Sequence, residues 1–171
     1  REFCQSAIAA AALAPIVVST TRASQKGRVK FYKNLGGGHI GVRANQRQAL
    51  EYAIKYGYDS ITPSLGEFQN KSASEINEWV ALMKEKGIRY GTAGLLVEFR
   101  RDEDRFKADM SKLPRQAAFM RQLGIKRIAT WITPGHRELT YLQNFNQHKN
   151  RFREVANVLK DNDIRLGLEF V

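Results

Sequence analysis

The segment KGIRYGTA, which runs from Lys86 to Ala93, joins the end of a helical pattern to a short strand pattern. Gly87 can adopt the left-handed conformation that ends a helix, and the β-branched and aromatic residues after it favour a strand. Three other places have the same form: Tyr56-Gly57, Leu123-Gly124 and Asn162-Asp163. Each of the four predicts a helix that leads directly into a strand.

Helix start signals precede these junctions at matching intervals. Ser72 and Glu75 have the spacing of a capping box, and Asn45 can cap the helix before it. A longer helical pattern covers residues 102–123, and Pro114 is expected to kink or split it. With a first strand at about residues 29–35, the sequence predicts five strands that alternate with four helices. Strict alternation indicates a parallel sheet with right-handed crossovers.

Two α/β architectures satisfy this alternation, an open flavodoxin-like sheet and a (β/α)8 TIM barrel. An open sheet normally finishes with a helix over its last strand, whereas this chain finishes on the strand pattern of residues 164–171. A barrel takes about 250 residues. We therefore expect residues 28–171 to be the N-terminal part of a TIM barrel domain, truncated after about five βα strands.

The first 23 residues have the pattern of an export signal. A basic start, an Ala-rich apolar stretch and small residues after it are typical of a secretory signal peptide. The opening Arg1-Glu2-Phe3 is similar to the tail of an incomplete twin-arginine (Tat) motif. We expect cleavage after residue 23 and export to the periplasm; an amphipathic or disordered arm is the alternative. The stretch is too short and too weakly apolar to span a membrane.

The composition is that of a globular protein. The chain has 171 residues, 43% of them hydrophobic and 26% charged, which excludes collagen, low-complexity disorder and a disulfide-built miniprotein. The single cysteine, Cys4, lies within the predicted signal, so a mature chain would contain no disulfide and no thiolate ligand.

The chain is strongly basic, with a net charge of +11. A surplus of this size makes nucleic acid, anionic membranes and phosphorylated substrates worth considering as partners. However, most basic residues, Arg151 among them, are scattered over polar helix faces, and no nucleic-acid-binding module is recognisable. We therefore expect no nucleic-acid partner. Arg100-Arg101 beside Phe99 is the exception, because this pair could form an anion-binding loop.

Functional residues of parallel βα folds lie at the carboxyl ends of the strands. The residues at these positions are Gly36 to His39, Pro63, Ser64, Glu98, Trp131, His136 and Glu169. The three glycines match no phosphate-binding fingerprint, and a flexible turn is the preferred interpretation. An acidic side chain inside a barrel is costly to bury unless it is paired, protonated or bound to a cation. Glu169 is thus either a metal ligand or the partner of a neighbouring Arg or Lys.

Several phrases of the sequence together resemble the sugar phosphate isomerase/epimerase family, whose members are xylose isomerase-like TIM barrels. The phrases occur from about residue 30 onward: Asn34–Gly38 with Ile40–Val42, Arg89–Leu95, Thr130–Pro134, Asn144–His148 and Leu166–Val171. Two positions depart from the family pattern. Leu96 stands where the resemblance leads us to expect Pro, and His39 is not a residue associated with its loop.

The resemblance implies a metal-dependent isomerase or epimerase that acts on a small sugar or sugar-like substrate. It implies a divalent ion, Mn, Mg, Co or Zn, held by four side chains. Glu169 matches the first ligand and would also be a catalytic base, whereas the others would lie beyond Val171. From their positions, we expect Trp131 to form an apolar wall of the site, and His136 and His39 to contact the substrate.

Two alternatives remain at this stage. One is a non-catalytic sugar-binding barrel that has lost its metal, and the other is an endonuclease-type phosphodiesterase of the same superfamily. Residues 24–171 contain one ligand of the implied set, so we expect no turnover from them alone. Assembly into a homo-oligomer is compatible with the sequence.

Overall fold

The computed structural model describes residues 31–171; the predicted signal peptide, residues 1–23, lies outside them. The helices are α1 (Gln46–Tyr56), α2 (Ala73–Glu85), α3 (Glu103–Met110), α4 (Leu113–Gln122) and α5 (Tyr141–Lys160). The strands are β1 (Asn34–Leu35), β2 (Ser60–Ile61), β3 (Arg89–Tyr90), β4 (Ala93–Gly94), β5 (Arg127–Ile132) and β6 (Arg165–Phe170). Two short 3-10 turns follow β1 and β2.

All strand pairs in this part of the chain are parallel, as predicted. The strands form two three-stranded sheets, with orders β1-β2-β3 and β4-β5-β6. Only residues 91 and 92 separate β3 from β4. The backbone N–H of Gly91 still donates to Ile61 (2.9 Å), whereas that of Leu95 already donates to Ala129 of β5 (3.1 Å).

The prediction of a single third strand is therefore wrong in detail, because its two halves pair with different neighbours. Strands that tilt and stagger, as in a barrel, shift their pairing in this way. Gly91 permits the crossover at close range: a Cβ atom there would lie 2.1 Å from the side-chain oxygen of Asn34. That oxygen also accepts a hydrogen bond from the Ser60 hydroxyl at 3.1 Å.

The helix starts predicted at Asn45 and Ser72 and the helix end predicted at Gly87 are confirmed. Asn45 and Ser72 each form a complete capping box, in which the side chains of the cap and of the third helical residue satisfy each other's backbone N–H groups. Gly87 has a φ of 68°, and Asp163, which precedes the last strand, has a φ of 57°. Pro114 lies in the first turn of α4, where its missing N–H costs nothing, so the long pattern becomes two helices.

The core lies between the helices and one face of the strands. Ile128 of β5 is fully buried together with Val155 and Leu159 of α5. Because strand side chains alternate, Thr130 and Ile132 share the face of Ile128. The opposite face, with Ala129 and Trp131, looks away from the helices. One face of β5 therefore belongs to the core, and the other face is not covered by the helices.

Arg151 is buried, contrary to the prediction of a solvated surface position. It is 5% exposed. Its guanidinium donates to the carbonyl oxygens of Phe99 (2.8 Å) and Arg101 (2.6 Å) and to the Glu103 carboxylate (2.8 Å). These carbonyls belong to an irregular loop, so they need donors from elsewhere in the fold. Arg151 therefore fastens the loop after β4 to α5.

No helix among residues 31–171 combines the length and the apolar character needed to cross a bilayer.

Candidate functional site

Glu169 and Trp131 lie side by side at the carboxyl ends of β6 and β5. The two residues are direct partners in the parallel register. Leu166 packs against the core, and alternation along β6 gives Leu168 and Phe170 the same face. Glu169 therefore shares the opposite face with Trp131. In a barrel this face is the interior, and its carboxyl end is the mouth where catalytic residues of the fold lie.

Glu169 is exposed in this structure, so the cost of burying its charge does not arise. Among residues 31–171, none of the ion pairs includes Glu169. Arg100, which contacts Trp131, is instead paired with Glu98 at 3.7 Å. The ion-pair interpretation of Glu169 thus finds no support in the described part of the chain.

Arg100 is held over Trp131 by aromatic rings and hydrogen bonds. Its guanidinium carbon lies 4.1 Å from the ring centre of Phe99 and 4.2 Å from that of Trp131. It also donates a hydrogen bond to the backbone carbonyl of Trp131. Cation–π contacts of this kind restrict both the arginine and the ring. Arg100 therefore fixes the side chain that stands beside Glu169.

Glu98 brings a second carboxylate to this group. Its side chain accepts a hydrogen bond from the backbone N–H of Arg100 at 3.0 Å. Its own backbone N–H donates to Asp109, a buried carboxylate that Arg105 also contacts at 3.1 Å. The sequence analysis noted Glu98 only by position and missed Asp109. The spacing of Arg105 and Asp109, four residues apart on one helix, was the only local signal.

His136 mainly holds its own loop. Its Nδ1 atom accepts hydrogen bonds from the backbone N–H groups of Glu138 and Leu139, both at 3.1 Å. With Nδ1 as an acceptor, Nε2 carries the hydrogen of the neutral ring. The exposed side chain can thus donate one hydrogen bond outward while it stabilises the turn.

His39 lies at a different part of the mouth, in the turn after β1. An atom of its ring is 2.7 Å from the position that a Cβ atom of Gly36 would take, so the ring lies close against this glycine. His39, Thr62 and Ser64 line a cavity of ≈ 370 Å³ at the ends of β1 and β2. The structure therefore brings Trp131 and Glu169 together but places His39 in a separate cavity.

His148 lies half-buried on α5 beneath the site. Its ring meets those of Phe99 and Phe152 edge-on, with centroids 5.1 and 5.8 Å away. Burial lowers the pKa of His148 below its usual 6.5, and the nearby cations Arg100 and Arg151 lower it further. The imidazole thus packs as an aromatic side chain against the core.

The described residues do not complete a metal site on their own. Within residues 31–171, no group of three His, Cys, Asp or Glu side chains converges closely enough to hold an ion. Glu169 contributes one exposed carboxylate, a donor type that Mg and Mn prefer and that Zn accepts. A complete set requires further ligands from outside this part of the chain.

Comparisons with known proteins give matches among solved structures alone. No family model and no curated protein matches the sequence. The crystal structure of the IOLI protein with a zinc atom has a TM-score of 0.68 and 18% identity, and the match covers 82% of this chain and 52% of that one. A xylose isomerase domain protein from Alicyclobacillus acidocaldarius has a TM-score of 0.66 and 21% identity, with coverage of 82% and 50%.

A third match is the D-psicose 3-epimerase of Clostridium cellulolyticum H10 in complex with D-tagatose. Its TM-score is 0.63 at 18% identity, and the match covers 81% of this chain and 52% of that one. The chain thus spans about half the length of the structures that it matches. Residues 31–171 have the fold of a xylose isomerase-like TIM barrel over that half, which confirms the predicted fold class.

Proposed function

We propose that the whole protein is a metal-dependent isomerase or epimerase of a sugar or sugar-like substrate. The observation that carries this proposal is the position of Glu169. Its carboxylate stands at the carboxyl end of β6, beside Trp131 and on the face opposite the core, and none of the ion pairs among residues 31–171 includes it. The likeness to an epimerase with a bound ketose supports a sugar substrate, and the zinc in a second neighbour supports a metal.

Glu169 would be one ligand of the divalent ion, Mn, Mg, Co or Zn. Such an ion, when bound, polarises a carbonyl and its adjacent hydroxyl. The remaining ligands would come from outside residues 31–171.

The proton transfer is the part that this chain's own residues would perform. A carboxylate at the mouth accepts the proton from the carbon next to the carbonyl, and the electron pair of that C–H bond moves into an enediolate. Return of a proton to the neighbouring carbon, with transfer of the hydroxyl proton to the former carbonyl oxygen, gives the isomer. Return of the proton to the opposite face of the same carbon gives the epimer. Glu169 would accept this first proton.

The other residues would bind and orient the substrate. The Trp131 ring, fixed by Arg100, offers an apolar wall for the C–H face of a sugar. His136 can donate a hydrogen bond from Nε2 to a hydroxyl, and His39 can contact the substrate from the cavity after β1.

We also propose that the protein is exported to the periplasm, on the pattern of residues 1–23 alone. Sequencing the N-terminus of the native protein tests this point. A start near Ser24 in a periplasmic fraction supports export, and an intact leader on a cytoplasmic protein contradicts it.

The activity test uses the full-length protein and a panel of aldoses and ketoses, with and without a chelator. We expect turnover that the chelator abolishes and that Glu169→Gln lowers by about a hundredfold or more. Glu154→Gln is the matched control, because Glu154 is exposed on α5, away from the mouth. Sugar binding without turnover would indicate a non-catalytic barrel, and cleavage of abasic duplex DNA would indicate the phosphodiesterase; either result would contradict the proposal.

A further inference from the structure

The amino ends of the strands carry an excess of positive charge. Because the strands are parallel and each helix runs back against them, the strand starts and the helix ends lie together, opposite the mouth. We call this part of the molecule the amino end, and it consists of residues 31–34, 53–60, 82–89, 119–127 and 157–165. It contains ten basic and four acidic side chains, whereas the rest of residues 31–171 contains thirteen basic and twelve acidic ones. Almost all of the net positive charge of the described chain thus lies at the amino end.

Six of the ten basic side chains belong to two neighbouring segments, the ends of α2 and α4 with the strand starts that follow them. A cavity of ≈ 290 Å³ joins the segments, and it is lined by Lys84 of one segment and Gly124 of the other. The only acidic residue in the two segments is Glu85, which pairs with Lys86 at 2.8 Å. All six basic residues are exposed, and we call them the basic surface: Lys84, Lys86, Arg89, Arg121, Lys126 and Arg127.

Acidic side chains nearby do not neutralise the basic surface. Asp59 lies next to it, because its carbonyl accepts the backbone N–H of Arg89 at 3.2 Å, but its carboxylate accepts the backbone N–H of Lys33 at 2.9 Å. Residues 157–165 contain two aspartates, which two basic residues of the same segment match in number. Of the eight ion pairs among residues 31–171, seven lie away from the amino end. The basic surface is therefore available to an anionic partner.

The helix dipole accounts for only part of this charge. A cation in the last turn of a helix is stabilised by the carbonyl groups there, and Lys84 and Arg121 hold such positions. Lys126 and Arg127 lie beyond the end of α4. The amino end of a barrel takes no part in the chemistry at the mouth. These charges therefore indicate an interaction with something other than the substrate.

Exposed aromatic rings border the basic surface. The guanidinium carbon of Arg89 lies 4.0 Å from the ring centre of Tyr32. Tyr32 is 42% exposed, and Phe31 before it is 86% exposed. Aromatic rings beside lysine and arginine are typical of surfaces that contact the headgroup region of a bilayer, because the rings enter the interface while the cations meet anionic headgroups.

We propose that the basic surface, with Phe31 and Tyr32 at its edge, docks the protein on a bilayer of anionic lipids. The cations would lie among the anionic headgroups, and the two rings would enter the boundary between headgroups and acyl chains. In this orientation the mouth points away from the membrane, so a dissolved substrate can still reach Glu169. The inference does not rest on the proposed function, because it concerns the opposite end of the barrel.

Sedimentation of the full-length protein with lipid vesicles tests the proposal. Vesicles of phosphatidylglycerol mixed with phosphatidylcholine are compared with vesicles of phosphatidylcholine alone, each at low and at high salt. We expect binding to the anionic vesicles only, and we expect salt to weaken it. An amino-end variant should bind about tenfold more weakly or worse, because it lacks four cations of the basic surface: Lys84→Gln, Lys86→Gln, Arg121→Gln and Lys126→Gln.

The matched control removes the same number of charges elsewhere. It substitutes exposed basic residues that lie outside the amino end: Arg43→Gln, Arg115→Gln, Lys149→Gln and Arg153→Gln. A chain of net charge +11 also attracts anionic surfaces through its total charge, and the two variants lower that charge equally. The control should therefore bind far better than the amino-end variant, and a thermal melt shows that both are folded. Equal losses in the two variants would overturn the proposal, as would wild type that ignores anionic vesicles.

Further measurements separate a membrane from other partners. Phe31→Ser should weaken binding to the anionic vesicles about threefold or more, since its ring no longer enters the interface. An unchanged affinity would overturn the proposal. It would also be overturned if wild type bound duplex DNA but no vesicles and the amino-end variant lost the DNA.

Turnover separates the docking surface from the proposed function. The amino-end variant should turn over dissolved sugars as wild type does, because its substitutions lie opposite the mouth. Vesicle binding through the basic surface without any isomerase activity would support the docking surface and contradict the proposed function alone.

Discussion

The polar side chains around the loop after β4 differ in their bonding from those at the open end of the sheet, by which we mean the carboxyl ends of β5 and β6. Arg151 of α5 is buried against the loop, and each of its hydrogen bonds is accepted by a carbonyl or a carboxylate. At the open end, Trp131 is 50% exposed and Glu169 is exposed beside it. Polar groups that hold the fold are thus bonded to the protein itself. The exposed Glu169 is the group that we propose binds a metal.

Loss of the buried arginine should have the largest effect on stability. Arg151→Met leaves the carbonyls of Phe99 and Arg101 without their donor, and we expect the free energy of unfolding to fall by about 3 kcal/mol. Urea denaturation measures it. Arg153→Met, an exposed position on the same helix, should leave the midpoint nearly unchanged. Equal midpoints for the two variants would mean that Arg151 does not fasten the loop.

A smaller effect is expected from His148, which should make the stability of the protein depend on pH. Because burial lowers its pKa in the folded protein, the unfolded chain takes up a proton more readily. The contribution of His148 to the free energy of unfolding is at its full value above pH 6.5. It is lost as the pH falls from there toward the pKa of the folded state. Urea midpoints at several pH values should therefore show a slope that His148→Gln reduces.

Substitution at the open end should affect stability least. Trp131→Leu removes the cation–π contact with Arg100, which is worth about 1 kcal/mol or less at an exposed site. The same variant should clearly weaken substrate binding by the full-length protein, and KM or a direct titration measures this. A large loss of stability with unchanged substrate binding would mean that Trp131 stabilises the fold and does not bind substrate. That result would contradict the difference proposed between the two regions.

The parts of the fold that depend on local chemistry could be predicted from the sequence. A capping box needs residues three apart, and a helix ends where a glycine can take a positive φ, so Ser72 and Gly87 mark their boundaries directly. Pro114 likewise shows where a helix must begin anew. The face of Glu169 follows from alternation along one strand.

Features that depend on distant partners could not be predicted in the same way. Nothing in the sequence around Arg151 distinguishes it from a surface arginine. Its acceptor, the carbonyl of Phe99, lies 52 positions earlier in the chain. The division of the third strand depends on where two other strands lie. The Arg100–Trp131 contact joins residues 31 positions apart, although the pair Arg100-Arg101 did attract attention as an anion-binding loop. In each case the missing information is tertiary.

The affinity of the full-length protein for a divalent metal tests the role of Glu169 most directly. Metal is titrated calorimetrically into chelator-treated wild type, Glu169→Gln and the Glu154→Gln control. We predict stoichiometric binding by wild type and by the control, and affinity weakened by about tenfold or more in Glu169→Gln, since even residues that only support a ligand have effects of this size. A wild-type protein that binds no metal, or a Glu169→Gln variant that binds it equally well, would contradict the account.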